Sequence, residues 1–152
     1  MRATREQVIQ ALQARLETVR FSQPVSGATT WKSVSRKLKL FSDVPPQQRP
    51  ALFITDHHES SVNRSENTPQ LSTMSLNLFI YTNAKAATIP AVDLNVILEA
   101  LDAVLEPTPA ENGKQTLGGL VSHCRTEGET LKDPGDIDGD GFLWVPIKIF
   151  GP

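Results

Sequence analysis

The chain has 152 residues and a formal net charge of −2, with a sequence pI near 5.9; one domain spanning 1–152 is long enough to bury roughly 70% of its unfolded surface, and the charge makes no global case for nucleic-acid binding. A single Cys excludes an internal disulfide framework and a Cys-rich zinc site, and it suits a reducing compartment. The apolar runs fall far short of a bilayer span and Met1 leads into a charged helix rather than a signal peptide, so synthesis in the cytoplasm with no membrane partner is expected.

Thr4 and Gln7 have capping-box spacing, and Val8, Ile9, Leu12, Leu16 and Val19 then recur at helical spacing among polar residues. This predicts an amphipathic helix of about four turns. Pro24 and Gly27 punctuate the segment after it. From Thr29 to Phe41 the pattern is extended but weak, with apolar Trp31, Val34, Leu38 and Leu40 beside a basic run of Lys32, Arg36, Lys37 and Lys39. Such a run reads first as a solvated strand face and second as a contact patch.

Pro45, Pro46 and Pro50 frame a rigid connection, and Ala51–Asp56 is a short β-rich run suited to a central strand. The polar stretch from His57 to Pro69 has the length of a functional loop. Alternation returns from Leu71 to Tyr81, with Met74, Leu76, Leu78 and Ile80 on one face, so the loop and its flanks predict a long antiparallel hairpin. Pro90 opens a second helix with an apolar stripe of Leu94, Ile97, Leu98, Leu101, Val104 and Leu105, which Pro107 and Pro109 stop.

The C-terminal third, Gln115 to Phe150, predicts two strands joined by a turn-rich connection and closing the sheet. On the first, Leu120, Ser122, Cys124 and Thr126 should share one face, and Val121, His123, Arg125 and Glu127 the other. On the second, Leu143, Val145, Ile147 and Ile149 form an apolar face that must be core. Its opposite face holds Phe142, Trp144, Pro146, Lys148 and Phe150, which predicts an edge strand covered by a partner. Helix, three strands, helix and two strands make an α+β domain, a mainly antiparallel sheet with two helices packed on one face in the order α-β-β-β-α-β-β.

Chemistry-bearing clusters are weak. Asp136, Asp138, Asp140 and Gly141 resemble half an EF-hand loop, but its bidentate acid falls on Ile147, so the turn reads as a turn without an ion. His57, His58 and Glu59 with Ser60 and Cys124 do not suggest a nucleophile, base and orienter together; adjacent strand histidines should point to opposite sides, and Cys124 reads as a small buried hydrophobe. Gly113-Lys114-Gln115 fails as a phosphate loop, which needs Gly at Thr108 and a hydroxyl at Gln115. A non-enzymatic protein with no catalytic, cofactor-binding or metal residues is expected.

The run Gln115-Thr-Leu-Gly-Gly-Leu-Val, the stretch Arg125 to Glu129, the Pro-Gly-Asp turn and a closing Val-Pro-Ile-Lys-Ile resemble the tail-terminator (tail-completion) proteins of long-tailed bacteriophages. The first helix, the Pro50–Ile54 and Leu76–Tyr81 strands and the Leu94–Leu105 helix agree in order, so the resemblance covers nearly the whole chain. It implies a virion protein made in the host cytoplasm that forms a homo-hexameric ring on the head-proximal end of the tail tube. There it stops tube growth and offers a surface to the head-tail connector protein, with packaged DNA passing through the lumen. On that basis Phe142, Trp144 and Phe150 are expected at the subunit interface. His57, His58, Glu59, Arg64, Glu66, Lys32, Arg36, Lys37 and Lys39 are expected to touch the tube or the connector. A connector or stopper ring, or less readily an unrelated intracellular binding module, is the alternative.

Overall fold

The computed structural model describes residues 3–62, 71–83, 89–107, 112–134 and 140–151. It is α+β, with helices α1 (Arg5–Glu17) and α2 (Pro90–Val104) and a six-stranded, mostly antiparallel sheet. The strands are β1 (Ser33–Ser35), β2 (Ala51–Val62), β3 (Leu71–Tyr81), β4 (His123–Thr126), β5 (Leu131–Asp133) and β6 (Phe142–Phe150). Their order is β1-β2-β3-β6-β4, with β5 also paired to β6. Among the described strands only β1 runs parallel to its neighbour.

Helix α1 starts as its spacing dictates. The Thr4 hydroxyl accepts from the Gln7 amide at 3.1 Å, and the Gln7 side chain accepts from the Thr4 amide at 2.8 Å. Val8, Ile9, Leu12 and Leu16 are buried from its inner stripe. They meet Leu94, Ile97 and Leu101 of α2 and the alternate residues Leu52, Ile54, Leu76, Leu78, Ile80, Leu143, Val145, Ile147 and Ile149 in one cluster. At about 25 cal/mol per Å² of buried apolar surface, this cluster is the main source of stability. Two long-range bonds also tie off helix ends: Trp31 Nε1 donates to the Leu16 carbonyl at 2.9 Å, and Arg15 Nε donates to the Val104 carbonyl at 2.7 Å.

Four expectations need correction. The extended segment Thr29 to Phe41 yields only three strand residues, because after Ser35 the Lys37 amide donates to the Ser35 hydroxyl at 3.0 Å instead of continuing the ladder with β2, and 3-10 turns follow at Phe41–Asp43 and Pro46–Gln48. The polar stretch from His57 is not a loop up to Val62: β2 continues, since Leu71–Ser75 of β3 supplies backbone partners whatever the side chains. The remainder of that stretch, with Arg64 and Glu66, lies outside the described residues. The strand expected from Leu120 begins only at His123, because Leu117, Gly118 and Gly119 take φ of 52°, 78° and 90° and curl the chain into a turn. Val121 therefore joins Cys124 in the core instead of opposing it, and Leu117 is buried with them.

The last correction concerns β6, which is interior rather than an edge. β3 flanks one side, and β4 and β5 share the other. Pro146 is tolerated there because the neighbouring chain leaves the ladder opposite it. Thr126 pairs with Ile147 and Leu131 with Trp144, and between them the chain detours through Gly128 at φ 118°. The Glu127 amide donates to the Pro146 carbonyl at 3.2 Å, so Pro146 faces this gap, where no neighbour asks for the donor it lacks. A Cβ on Gly128 would sit 3.1 Å from Pro146 Cγ, which is why the detour passes close only as glycine.

Candidate functional site

The sheet face turned away from the core cluster carries the three aromatic residues expected at an interface, Phe142, Trp144 and Phe150. Its alternate positions are Ala51, Phe53 and Thr55 on β2, Ser75, Asn77, Phe79 and Tyr81 on β3, and Phe142, Trp144, Pro146, Lys148 and Phe150 on β6. One end is roofed by the 41–49 connection. Phe41 meets Tyr81 edge to face at 5.0 Å, Tyr81 Oη donates to the Lys39 carbonyl at 2.7 Å, and Val44, Ala51, Phe53 and Tyr81 form a small second core.

Arg49 is the clasp of this roof. It is 5% exposed, with its guanidinium 4.0 Å over the Phe41 ring. Nη2 donates to the Phe41 carbonyl at 2.6 Å, Nη1 reaches Asn83 Oδ1 at 3.4 Å, and Nη1 also lies 3.4 Å from Asp140 Oδ2. Asp140 thus has a partner in Arg49, while Asp136 and Asp138 lie outside the described residues. Among the described residues no group of three His, Cys, Asp or Glu is placed to hold a metal ion.

The other end of this face is open. Of the three aromatic residues expected at an interface, Phe142 is half-buried against Phe79 at 6.1 Å and Tyr81 at 5.8 Å, and Phe150 lies under the Arg125 guanidinium at 4.8 Å. Trp144 alone projects, stacked on Phe79 at 5.7 Å and 40% exposed. Beside it, a groove of about 220 Å³ is lined by His58, Glu127, Glu129, Trp144, Pro146 and Lys148. Glu127 is claimed twice, by Arg125 at 2.6 Å and Lys148 at 3.4 Å. Its carboxyl is held below the usual range, chiefly by the Arg125 hydrogen bond.

The histidines also depart from expectation. A β-bulge between Asp56 and His58 sets an extra residue against β3, and instead of pointing apart the His57 and His58 rings lie 4.6 Å apart, edge to face. Beyond the bulge, Glu59 faces α1, where Arg5 Nε meets it at 2.6 Å. Of the basic run, Lys32 donates to the Ser26 carbonyl at 3.2 Å. Arg36 makes a bidentate pair with Glu6 at 2.8 and 2.7 Å and holds that carboxyl below its usual range. Lys37 and Lys39 are exposed and make no ion pair among the described residues. The run is therefore half structural.

Cys124 is fully buried, and burial pushes its thiol up to about 12, as befits a small hydrophobe rather than a nucleophile. Sequence reasoning missed two residues that organise the region. Gln115 is 2% exposed: its Nε2 donates to the Glu106 carbonyl just after α2 at 3.1 Å, and its Oε1 accepts from the Leu117 amide at 3.2 Å. Its backbone N–H donates to His123 Nδ1 at 3.1 Å and its carbonyl accepts from the Cys124 amide at 2.8 Å. Arg49 is the other, and its place just before Pro50 in a rigid connection gave the only hint. Among the described residues no helix is long and apolar enough to cross a membrane. Among known proteins, no family model matches this chain and no curated sequence matches it significantly.

Proposed function

We propose that this chain is a non-enzymatic virion protein of the tail-terminator kind. It assembles as a homo-hexameric ring on the head-proximal end of a phage tail tube, ends the tube's polymerisation and presents its far side to the head connector, with DNA passing through the lumen. The supporting observation is the half-open sheet face: a large aromatic, Trp144, is stacked and held in place yet left 40% exposed beside a polar groove, the anatomy of an interface anchor with a polar rim. On this reading the family pattern is two helices on one face of the sheet in the order α-β-β-β-α-β-β, with β5 a short addition beside β6.

A tube of stacked rings grows because each ring offers the surface that the next requires, so a terminator must match the tube on one side only. The clustered His57, His58 and Glu59 end of β2 is the proposed tube-facing side. Mixing tube protein under polymerising conditions with rising amounts of this protein, and measuring tube lengths by electron microscopy, tests the proposal. Shorter tubes bearing a ring at one end are expected. Tubes of unchanged length without rings reject the terminator role and favour a connector ring.

A further inference from the structure

Large apolar side chains stay exposed at both lateral edges of the sheet. Directly after β1, Leu38 and Leu40 are 45% and 71% exposed. At the opposite edge, Leu131 of β5 and Trp144, its cross-strand partner, are 51% and 40% exposed. The charges beside the leucines of the first edge are basic, while at the second edge Leu131 has Glu129 before it and Lys132 after it, the latter donating to Asn95 Oδ1 at 3.3 Å. Lys37 and Lys39 alternate with the two leucines, whereas Glu129, exposed and without an ion pair among the described residues, precedes Leu131 and lines the Trp144 groove. The first segment is also pre-shaped, since Tyr81 Oη holds the Lys39 carbonyl and Phe41 packs on Tyr81. A rigid extended segment loses little entropy on docking.

We propose that the Lys37–Leu40 segment of one copy seats on the Leu131 and Trp144 edge of the next, with Leu38 and Leu40 covering the apolar pair and a lysine meeting Glu129. The occupant is a second copy of this chain because the two surfaces complement each other in apolar character and in the match of lysine to Glu129. They lie on opposite edges of one sheet, so the contact is heterologous and repeats head to tail until rotation closes it. Both sheet edges are then hidden, which removes an aggregation liability. This deepens the ring reading above and rests on it, but it assigns Lys37 and Lys39 to the neighbouring subunit rather than to the tube.

The test uses the full chain carrying Leu40→Cys and Leu131→Cys together, with each single variant as control; buried Cys124 stays out of the reaction. Mild oxidation of the double variant should give a ladder of disulfide-linked multimers, while the single variants stop at dimers. In parallel, the Lys37→Glu, Lys39→Glu pair should raise the concentration at which oligomers appear by about tenfold or more, and adding Glu129→Lys should restore part of it. Oligomers seen by light scattering without a ladder, and insensitive to charge reversal, overturn this contact but leave the ring standing. Monomers throughout, even with tube protein present, overturn both. Charge reversal that leaves oligomers intact but abolishes tube binding returns the lysines to the tube.

Discussion

The two faces of the sheet are built from the same three long strands by opposite rules. On the helix side Leu52, Leu78, Ile80, Leu143 and Ile147 are all 0% exposed, and apolar side chains of similar volume would serve there. On the other side the residues are specific. Arg49 threads between Phe41, Asn83 and Asp140, Phe79 stacks on Trp144, and Glu127 divides itself between Arg125 and Lys148. The first face carries the main core and, on the proposed reading, the second carries recognition, so substitutions on the two should separate folding from assembly.

Leu78→Ala should give the largest loss of stability, about 2–5 kcal/mol, because the sheet centre cannot collapse into the void. A shift of the urea midpoint with an unchanged slope is the expected signature, and a loss below about 1 kcal/mol contradicts the placement of the main core. Arg49→Met should cost about 1–3 kcal/mol despite lying on the recognition side, since it breaks the bond to the Phe41 carbonyl and the Asp140 pair. Equilibrium unfolding of the full chain measures it, and a neutral result means the roof is held by its aromatic packing alone. Trp144→Ser should change monomer stability by less than about 1 kcal/mol yet abolish oligomers in light scattering. An unfolded variant, or unchanged assembly, removes the distinction between the faces.

The smallest effect concerns pH. His123 Nδ1 accepts from the Gln115 amide, which the neutral ring can do, and its pKa is lowered by burial and then by Arg125 and Lys114. Because the folded value lies below the unfolded 6.5, the contribution is complete above pH 6.5 and fades as pH falls through the folded value. A melting curve series from pH 8 to pH 5 should show a modest fall that His123→Gln flattens. An identical fall in the variant assigns it to other groups.

Periodicity made the first face legible. The 3.6-residue stripe from Val8 to Leu16 and the alternations Met74 to Ile80 and Leu143 to Ile149 all end in the core cluster. What stayed hidden depends on partners distant in sequence. Nothing local in Asp56–Val62 announces a strand, because it is one only by virtue of β3. The three residues of β5 exist only against β6, and Pro146 misled the reading of β6 as an edge because the gap it faces belongs to another segment. On the candidate surface Trp144 was legible as an aromatic on the wrong face for the core. The Arg49 clasp was not, since its contacts span residues 41 to 140.

The bulge at His57 works as a phase shifter. Pleat alternation has a period of two, so one extra residue there sets the distal strand half a period out of step with the proximal one. Deleting His57 alone would leave a regular ladder in which Glu59 still faces Met74 and Arg5, whereas straightening the bulge with His57 retained would turn the tip over, bringing Ser60 to the side of Arg5 and Glu59 to the other face while Leu52 and Ile54 stayed where they are. One residue gained or lost at this point is therefore absorbed by the bulge, so that the tip keeps the faces it presents and the body that carries it is undisturbed.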